Sequence, residues 1–239
     1  MPLAVRHVAG ALLVLGSSLF ASHAVFCQNY AFTPADPVRT QLLALGKTGQ
    51  TIELARERVL EILEEPNACS AWFSAASPDP AGVFASLTFA VDENGPAYIT
   101  ATRTDSGAFL FKHPYSGATQ ENAGLHALIT LNANGPFFTN SAALMKQDII
   151  GSAFHRDGWR IMEIGSYTGS TLPAQVVTLL HELGHVIGRI PEDSDVLSLQ
   201  STRNTREVVQ HCRSAIKESV RHGNRLRLWL RAVTNGANY

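Results

Sequence analysis

The stretch "TLLHELGHVIG", residues 178–188, places two histidines and a glutamate inside an otherwise apolar segment. Thr171 or Ser170 can cap the start of a helix here, with Pro173 in its first turn. Gly188 suits the end of that helix. Apolar residues recur at helical spacing in between, at Val176, Val177, Leu179, Leu180, Leu183, Val186 and Ile187. The sequence therefore predicts an amphipathic helix that buries ionisable side chains, and buried ionisable groups need a partner.

A metal ion is the partner that this spacing favours. His181 and His185 lie one helical turn apart, so their imidazoles project from the same face and can hold one ion. Glu182, about 100° round the helix, can reach a water molecule on that ion and accept its proton. Neutral imidazole suits zinc, which lowers the pKa of bound water to about 7. We predict one Zn²⁺ per chain, with Glu182 as the catalytic base; the alternative is a pair of core histidines beside a salt-bridged glutamate.

The motif "HELGH", residues 181–185, resembles that of the zincin metallopeptidases. The resemblance covers the helix well and the rest of the chain only in outline, as helix, mixed sheet, active-site helix and later helix. It implies an α+β zincin-like domain that hydrolyses polypeptides, with His181 and His185 as ligands and Glu182 as general base. Zincins commonly set an edge strand beside the cleft. The segment "LHALITLN", residues 125–132, is either that strand or an ordinary core strand.

The third metal ligand is left open by the sequence. In the metzincin branch, a His or Asp follows three residues after the glycine of the motif, but here Pro191 stands at that place after Gly188. Glu192 and Asp193 come next, and a slightly longer turn would return either carboxylate to the metal. We favour Asp193, because Pro191 stiffens the turn ahead of it and a short side chain suits a tight return. Solvated carboxylates are the alternative for both.

A later glutamate is a further candidate ligand. In the thermolysin-like branch the third ligand is a glutamate on the next helix, and Glu207 lies at a suitable distance along the chain. However, Asn204 followed by Glu207 resembles a capping box that opens a helix over residues 205–222, in which Glu207 would bond the backbone of the cap. His211, one turn further on, is another alternative. Without a third ligand, the chain would be an exported zincin-like metal-binding or structural protein without peptidase activity.

The first 27 residues are typical of a secretory signal peptide. They combine a short basic start, an apolar run around "ALLVLG" and small residues beyond it. Cleavage after Ala24 and cleavage after Cys27 both remain open. The apolar run is shorter than the ~20 residues that a membrane span needs. We therefore expect a secreted or periplasmic protein.

Export changes the expectation for the cysteines, because an oxidising compartment favours disulfides. Cys69 and Cys212 are the natural pair, and a bond between them would join an early helix to a late one. Such a bond would stabilise the fold by roughly 3 to 5 kcal/mol. The alternative is two buried free thiols.

Composition limits the partners and the number of domains. The chain has 239 residues, of which 45% are hydrophobic and 16% charged, with a formal net charge of -1. These values indicate a globular protein without an electrostatic footprint for nucleic acid. We expect one domain over residues 28–222 and a basic tail over 223–239, with neither nucleic acid nor membrane as a partner once the signal is removed.

Hydrophobic periodicity predicts the remaining elements. Residues 51–65 are amphipathic at helical spacing and stop before Pro66. Two alternating runs flank "DENGP", so residues 86–103 are predicted to form a hairpin. Further strands are predicted over residues 108–113, 125–132 and 159–164.

Overall fold

The computed structural model describes residues 36–104, 106–147, 154–193 and 199–236, with side chains described as far as residue 222. The predicted signal peptide, residues 1–27, lies outside the described residues. The helices are α1 (Pro37–Ala44), α2 (Gly46–Glu64), α3 (Ala68–Ser74), α4 (Pro80–Ser86), α5 (Leu172–Val186) and α6 (Leu199–Gly236). The strands are β1 (Thr88–Asp92), β2 (Tyr98–Arg103), β3 (Phe109–Lys112), β4 (Gly117–Ala118), β5 (Leu128–Asn132), β6 (Ser141–Gln147), β7 (Phe154–Ile161), β8 (Glu163–Ile164) and β9 (Tyr167–Thr168). The predicted α+β class is confirmed.

Two mixed sheets carry most of the strands. The first has the order β1-β5-β4, with β5 parallel to β1 and antiparallel to β4. The second has the order β3-β2-β6-β7, in which only β2 and β6 run parallel. A two-stranded ladder of β8 and β9 leads into α5. The segment predicted as a possible edge strand, β5, is the central strand of its sheet, and β4 lies at the edge.

Helix α5 is at the centre of the main hydrophobic core. Every residue from 174 to 186 is buried, and the helix packs against α2, α6 and β4. Helix α2 contains almost all of the predicted helix 51–65 and presents Ile52, Val59 and Ile62 to this core. The ionisable residues of the opening motif therefore lie inside the protein, on a helix that is held from several sides.

The predicted disulfide between Cys69 on α3 and Cys212 on α6 is confirmed. It links positions 143 residues apart in the sequence, so it fastens the last helix to the first part of the domain. Both cysteines are fully buried in the main core. Such a bond is what an oxidising compartment favours.

The predicted hairpin over residues 86–103 is wrong. Strands β1 and β2 belong to different sheets, and the loop between them is bound to the end of β5 instead of closing a turn. Asn132 donates a side-chain hydrogen bond to the carbonyl of Pro96, and Asn134 donates one to the carbonyl of Gly95. A Cβ atom at Gly95 would lie 2.3 Å from Oδ1 of Asn132, so the loop can approach β5 only with glycine there.

The other predicted strands are present with shifted ends. Strands β3 and β5 fall within 108–113 and 125–132, while 159–164 spans the end of β7 and β8, which the fully buried Met162 separates. The predicted tail begins inside α6, whose backbone remains helical to Gly236. A search of the described helices finds none with the length and apolar character needed to cross a membrane.

Candidate metal centre

The C-terminal end of α5 forms a tight reversal that is set by two glycines. Gly188 adopts φ +65° and donates to the carbonyl of His185, while Arg189 donates to the carbonyl of Gly184 at 2.7 Å. This pair of bonds is the Schellman motif, which favours glycine at the left-handed position. A Cβ atom at Gly184 would lie 2.9 Å from the side chain of Ile190, so glycine lets Ile190 close over the helix. The chain therefore turns back towards the histidines within a few residues.

A second segment supports the same helix end. The backbone amide of Asn122 donates to the carbonyl of His185 at 2.9 Å, and that of Gly124 donates to Val186 at 3.1 Å. These carbonyls belong to the last turn, where the helix no longer supplies the donor four residues ahead. The loop before β5 thus satisfies them and fixes the position of the last turn, which carries His185.

Three potential ligand atoms converge at this reversal. The Nε2 atoms of His181 and His185 lie 2.9 Å apart. The carboxylate of Asp193 places Oδ2 3.1 Å from Nε2 of His181 and Oδ1 3.5 Å from Nε2 of His185. Both histidines are buried, with 6% and 5% of their surface exposed. Among the described residues, His181, His185 and Asp193 form the group of side chains that could hold a metal ion.

The separations fit a metal ion with tetrahedral coordination. Nitrogen and oxygen ligands about 2.0–2.1 Å from zinc are about 3.3 Å from one another in a regular tetrahedron. The two Nε2 atoms lie 2.9 Å apart, and each lies 3.1 or 3.5 Å from a different oxygen of the Asp193 carboxylate, so all three separations are close to that value. Two imidazoles and one carboxylate are a donor set that zinc accepts. The residues present therefore fit a zinc ion.

Charge interactions at the site favour an ionised carboxylate. Burial by itself would raise the pKa of Asp193, but hydrogen bonds from His181 and His185 hold it well below its usual range. Burial would lower the pKa of His185, yet the hydrogen bond to Asp193 and the charge of Glu182 raise it overall. A negative charge at Asp193 thus stabilises positive charge between the two imidazoles, whether from a proton or from a metal ion.

Helix α6 orients two of the three side chains. The hydroxyl of Thr205 lies 3.1 Å from Nδ1 of His181; if that nitrogen donates to the hydroxyl, Nε2 carries the lone pair that a metal needs. Asn204 donates to Oδ1 of Asp193 and to the carbonyl of Pro191, both at 2.7 Å. Gln200 donates in turn to Oδ1 of Asn204 at 2.9 Å. The carboxylate of Asp193 is therefore held by a chain of hydrogen bonds from one helix.

His185 has a less complete set of partners than His181. Its Nδ1 atom is buried and has no hydrogen-bond partner of good geometry among the described residues. The backbone of Ile190 nevertheless lies near enough to favour the protonated ring. The ring of His185 is thus held through Nε2, which lies near His181 and Asp193.

Glu182 lies on the neighbouring face of α5, against the edge strand β4. A Cβ atom at Gly117 would lie 3.0 Å from Oε1 of Glu182, so the absence of a side chain on β4 makes room for the carboxylate. Burial raises the pKa of Glu182, and the nearby His181 and His185 offset this only in part. Ser116 directly precedes β4, and Thr178 lies one turn before Glu182 on α5. Their hydroxyl groups share a hydrogen bond of 2.8 Å, which joins β4 to α5. This carboxylate is placed to hold a proton beside the cluster.

The other candidate ligands lie away from the cluster. Glu192 and Glu207 are exposed. The ring of His211 stacks on Trp72, with 5.0 Å between ring centroids. The predicted capping box at Asn204 and Glu207 is wrong, because α6 begins at residue 199 and Asn204 is a buried position inside it. Of the four candidates for the third ligand, the structure brings only Asp193 to the two histidines.

Sequence reasoning missed the orienting residues Gln200, Asn204 and Thr205. One signal was available: Asn204 lies four residues before Val208 and eight before Cys212, so it shares the buried face of the helix with them. A buried asparagine on an apolar helical face needs polar partners.

The molecule is thus a mixed α+β protein with a candidate metal centre between two helices. Comparisons of the chain with models of protein families, with curated proteins and with solved structures give no match.

Proposed function

We propose that the protein is an exported zinc-dependent peptidase built on a zincin-like domain. The observation that carries the proposal is the convergence of His181, His185 and Asp193 within 4.8 Å at the end of a buried helix, with the carboxylate of Glu182 beside them. Fold alone does not define a function. The proposal therefore rests on this donor set, on the hydrogen bonds that orient it and on the adjacent base.

The position of β4 supports a polypeptide as substrate. It is an outer strand of its sheet, and it contacts the helix that carries Glu182. An extended peptide can add to such an edge through backbone hydrogen bonds. Gly117 leaves space for the Glu182 carboxylate at this edge, so a peptide bound along β4 would lie close to the proposed base.

The proposed chemistry divides between the ion and the protein. Zinc held by these side chains supplies a Lewis acid and a water molecule whose pKa is lowered to about 7. Glu182 takes the proton from the attacking water at its carboxylate and delivers it to the leaving amine. Burial raises the pKa of Glu182, which increases its affinity for the proton that it takes from the water. Asn204 and Thr205 keep the ligands oriented throughout.

The test is hydrolysis of casein or a mixed-peptide substrate by the purified protein. We expect activity that stops on addition of phenanthroline and returns with zinc. Glu182→Gln should retain the metal and lose turnover, whereas Glu192→Gln, which changes an exposed carboxylate nearby, should retain both. Full activity in the Glu182→Gln variant would remove the proposed base.

The burial of the centre favours a second function, that of a metal-binding protein without peptidase activity. Glu182 is only 4% exposed and both histidines are similarly covered, which leaves Asp193 as the most accessible member. The two functions differ in one measurement. Both give about one zinc per chain, but only the peptidase cleaves peptide bonds in a phenanthroline-sensitive way.

A further inference from the structure

In the sheet formed by β3, β2, β6 and β7, the central strands β2 and β6 have one covered face and one open face, while β7 is exposed along its whole length. Ile99, Ala101 and Ala142 point to the covered face, and all three are buried. The alternate residues of β2, among them Tyr98 and Thr102, point to the other side and are exposed. This second side is called the open face below.

The open face is apolar and aromatic. The register pairs Tyr98 with Ala143 and Ala143 with Trp159, which places the three in one row across the sheet. A left-handed Gly158, with φ +94°, accompanies the irregular register that brings Arg156 and Trp159 to the same side. The large exposed side chains of the face are Tyr98, Leu110, Phe154, Trp159 and Ile161.

The charges on this face have one sign. Lys112 pairs with Thr100, and Arg156 pairs with Met145, so both cations lie on the open face. The guanidinium of Arg156 lies 4.6 Å from the ring centroid of Trp159. The acidic residue of these strands, Asp157, forms an ion pair with Lys146, whose register places it on the covered side. Within the four described strands, the open face therefore carries cations and no carboxylate.

We propose that the open face docks onto an anionic lipid bilayer. A second copy of the chain would place Lys112 and Arg156 against like charges, which opposes pairing of two such faces. A bilayer with anionic headgroups complements the cations instead, and tryptophan and tyrosine favour the boundary between headgroups and hydrocarbon. Exposed aliphatic side chains such as Ile161 gain by insertion there and gain little from stacking on nucleic-acid bases. The proposal is independent of the metal centre, and it opposes the expectation from the sequence of no membrane partner.

The test is sedimentation of the purified exported protein with lipid vesicles. We expect binding to vesicles of phosphatidylglycerol and phosphatidylcholine, weak binding to phosphatidylcholine alone, and a loss of affinity as salt rises. Arg156→Gln should weaken binding about five-fold, and Trp159→Ser about ten-fold. Lys47→Gln and Leu43→Ser change a cation and an exposed leucine at the first helices and should leave binding unchanged.

Several results would overturn the proposal. Equal binding to neutral and anionic vesicles, no binding to either, or equal losses in the Lys47→Gln and Arg156→Gln variants would remove the bilayer as the partner of this face. Binding of single-stranded DNA or polyglutamate that Trp159→Ser abolishes, with vesicle binding unchanged, would assign the face to that polyanion. Dimerisation that Trp159→Ser abolishes would assign it to a second copy of the chain.

Discussion

The centre between α5 and α6 and the four-stranded sheet differ in the burial of their polar and aromatic side chains. In the first region His181, His185 and Asn204 are buried, and each contacts a polar side chain on another segment. In the second, Trp159 is 67% exposed and the whole of β7 faces solvent. The hydrophobic cluster under this sheet has Ile99, Ala142 and Met162 as its buried members among the described residues.

The difference separates two kinds of function. Buried donors that hydrogen bonds hold in place fit the binding of a small ion, since orientation must be fixed before the ion arrives. An open apolar face contributes little to the stability of its own domain and fits contact with a large partner. Substitutions at the centre between α5 and α6 should therefore affect metal binding and stability. Substitutions on the open face of the sheet should affect neither.

The largest contrast should come from removing a ligand. His185→Ala should abolish stoichiometric zinc, because two remaining donors cannot hold the ion against water. Trp159→Ser should retain about one zinc per chain. The check is the metal content of both variants after dialysis, with far-UV circular dichroism to show that each is folded. Full zinc content in His185→Ala would contradict the assignment of this ligand.

The disulfide should account for the next largest effect. Replacing both Cys69 and Cys212 by alanine should lower the free energy of unfolding by about 3 to 5 kcal/mol, since the bond closes a long loop in the unfolded chain. Trp159→Ser should change it by no more than about 0.5 kcal/mol. Urea unfolding of the three proteins measures both values. A cost for Trp159→Ser as large as that for the double variant would show that the open sheet depends on its surface aromatics.

A smaller effect should follow from changing Thr205. Thr205→Val keeps the shape of the side chain but removes the hydroxyl near Nδ1 of His181. We expect zinc affinity to fall about 10- to 100-fold, the usual effect of losing such a partner. Thr205→Ser should restore most of it. Competition with a chelator gives the affinities, and equal values for the valine and serine variants would exclude an orienting role for the hydroxyl.

The smallest expected effect is on the free energy of unfolding, and it comes from Tyr115, just ahead of β4. Burial and a hydrogen bond to Asp92 raise the pKa of Tyr115 to about 12, against about 10 in an unfolded chain. The folded state thus holds the phenolic proton more tightly, so this contribution is complete below pH 10 and is lost as the pH rises towards 12. Below pH 10, the free energy of unfolding of the wild type should exceed that of Tyr115→Phe by about 0.5 to 1.5 kcal/mol.

The measurement for Tyr115 is the difference in unfolding free energy between wild type and Tyr115→Phe as a function of pH. That difference should shrink across the interval from pH 10 to 12. In an Asp92→Asn background it should be smaller at all pH values, because the charged acceptor is gone. A difference that grows as the pH rises would contradict the bond.

Local signals in the sequence were enough to predict the helix that carries the motif. Pro173 at its start and Gly188 after its end are local signals, and both stand where predicted. Cys69 and Cys212 could be paired because the expected export favoured a disulfide over free thiols. Asp193 was favoured as the third ligand because Pro191 stiffens the turn and the side chain of Asp193 is short. The structure brings Asp193 to the two histidines.

What the sequence could not predict depends on contacts between distant segments. The loop at Gly95 looks like a hairpin turn, but Asn132 and Asn134, almost forty residues later, bind its carbonyls and direct it between sheets. Asn204 looks like a helix cap, but the helix begins earlier and turns this residue inwards to Asp193. In both places a residue with strong local preferences was used for a long-range hydrogen bond instead.

The central claim is that His181, His185 and Asp193 hold one zinc ion. Zinc K-edge X-ray absorption on the purified, zinc-loaded protein tests it most directly, because the spectrum distinguishes imidazole, oxygen and sulfur ligands. We predict two imidazoles and further oxygen ligands at about 2.0–2.1 Å, with one imidazole lost in His181→Ala if that variant retains any zinc. A site with sulfur ligands, or a spectrum that His181→Ala and His185→Ala leave unchanged, would contradict the account.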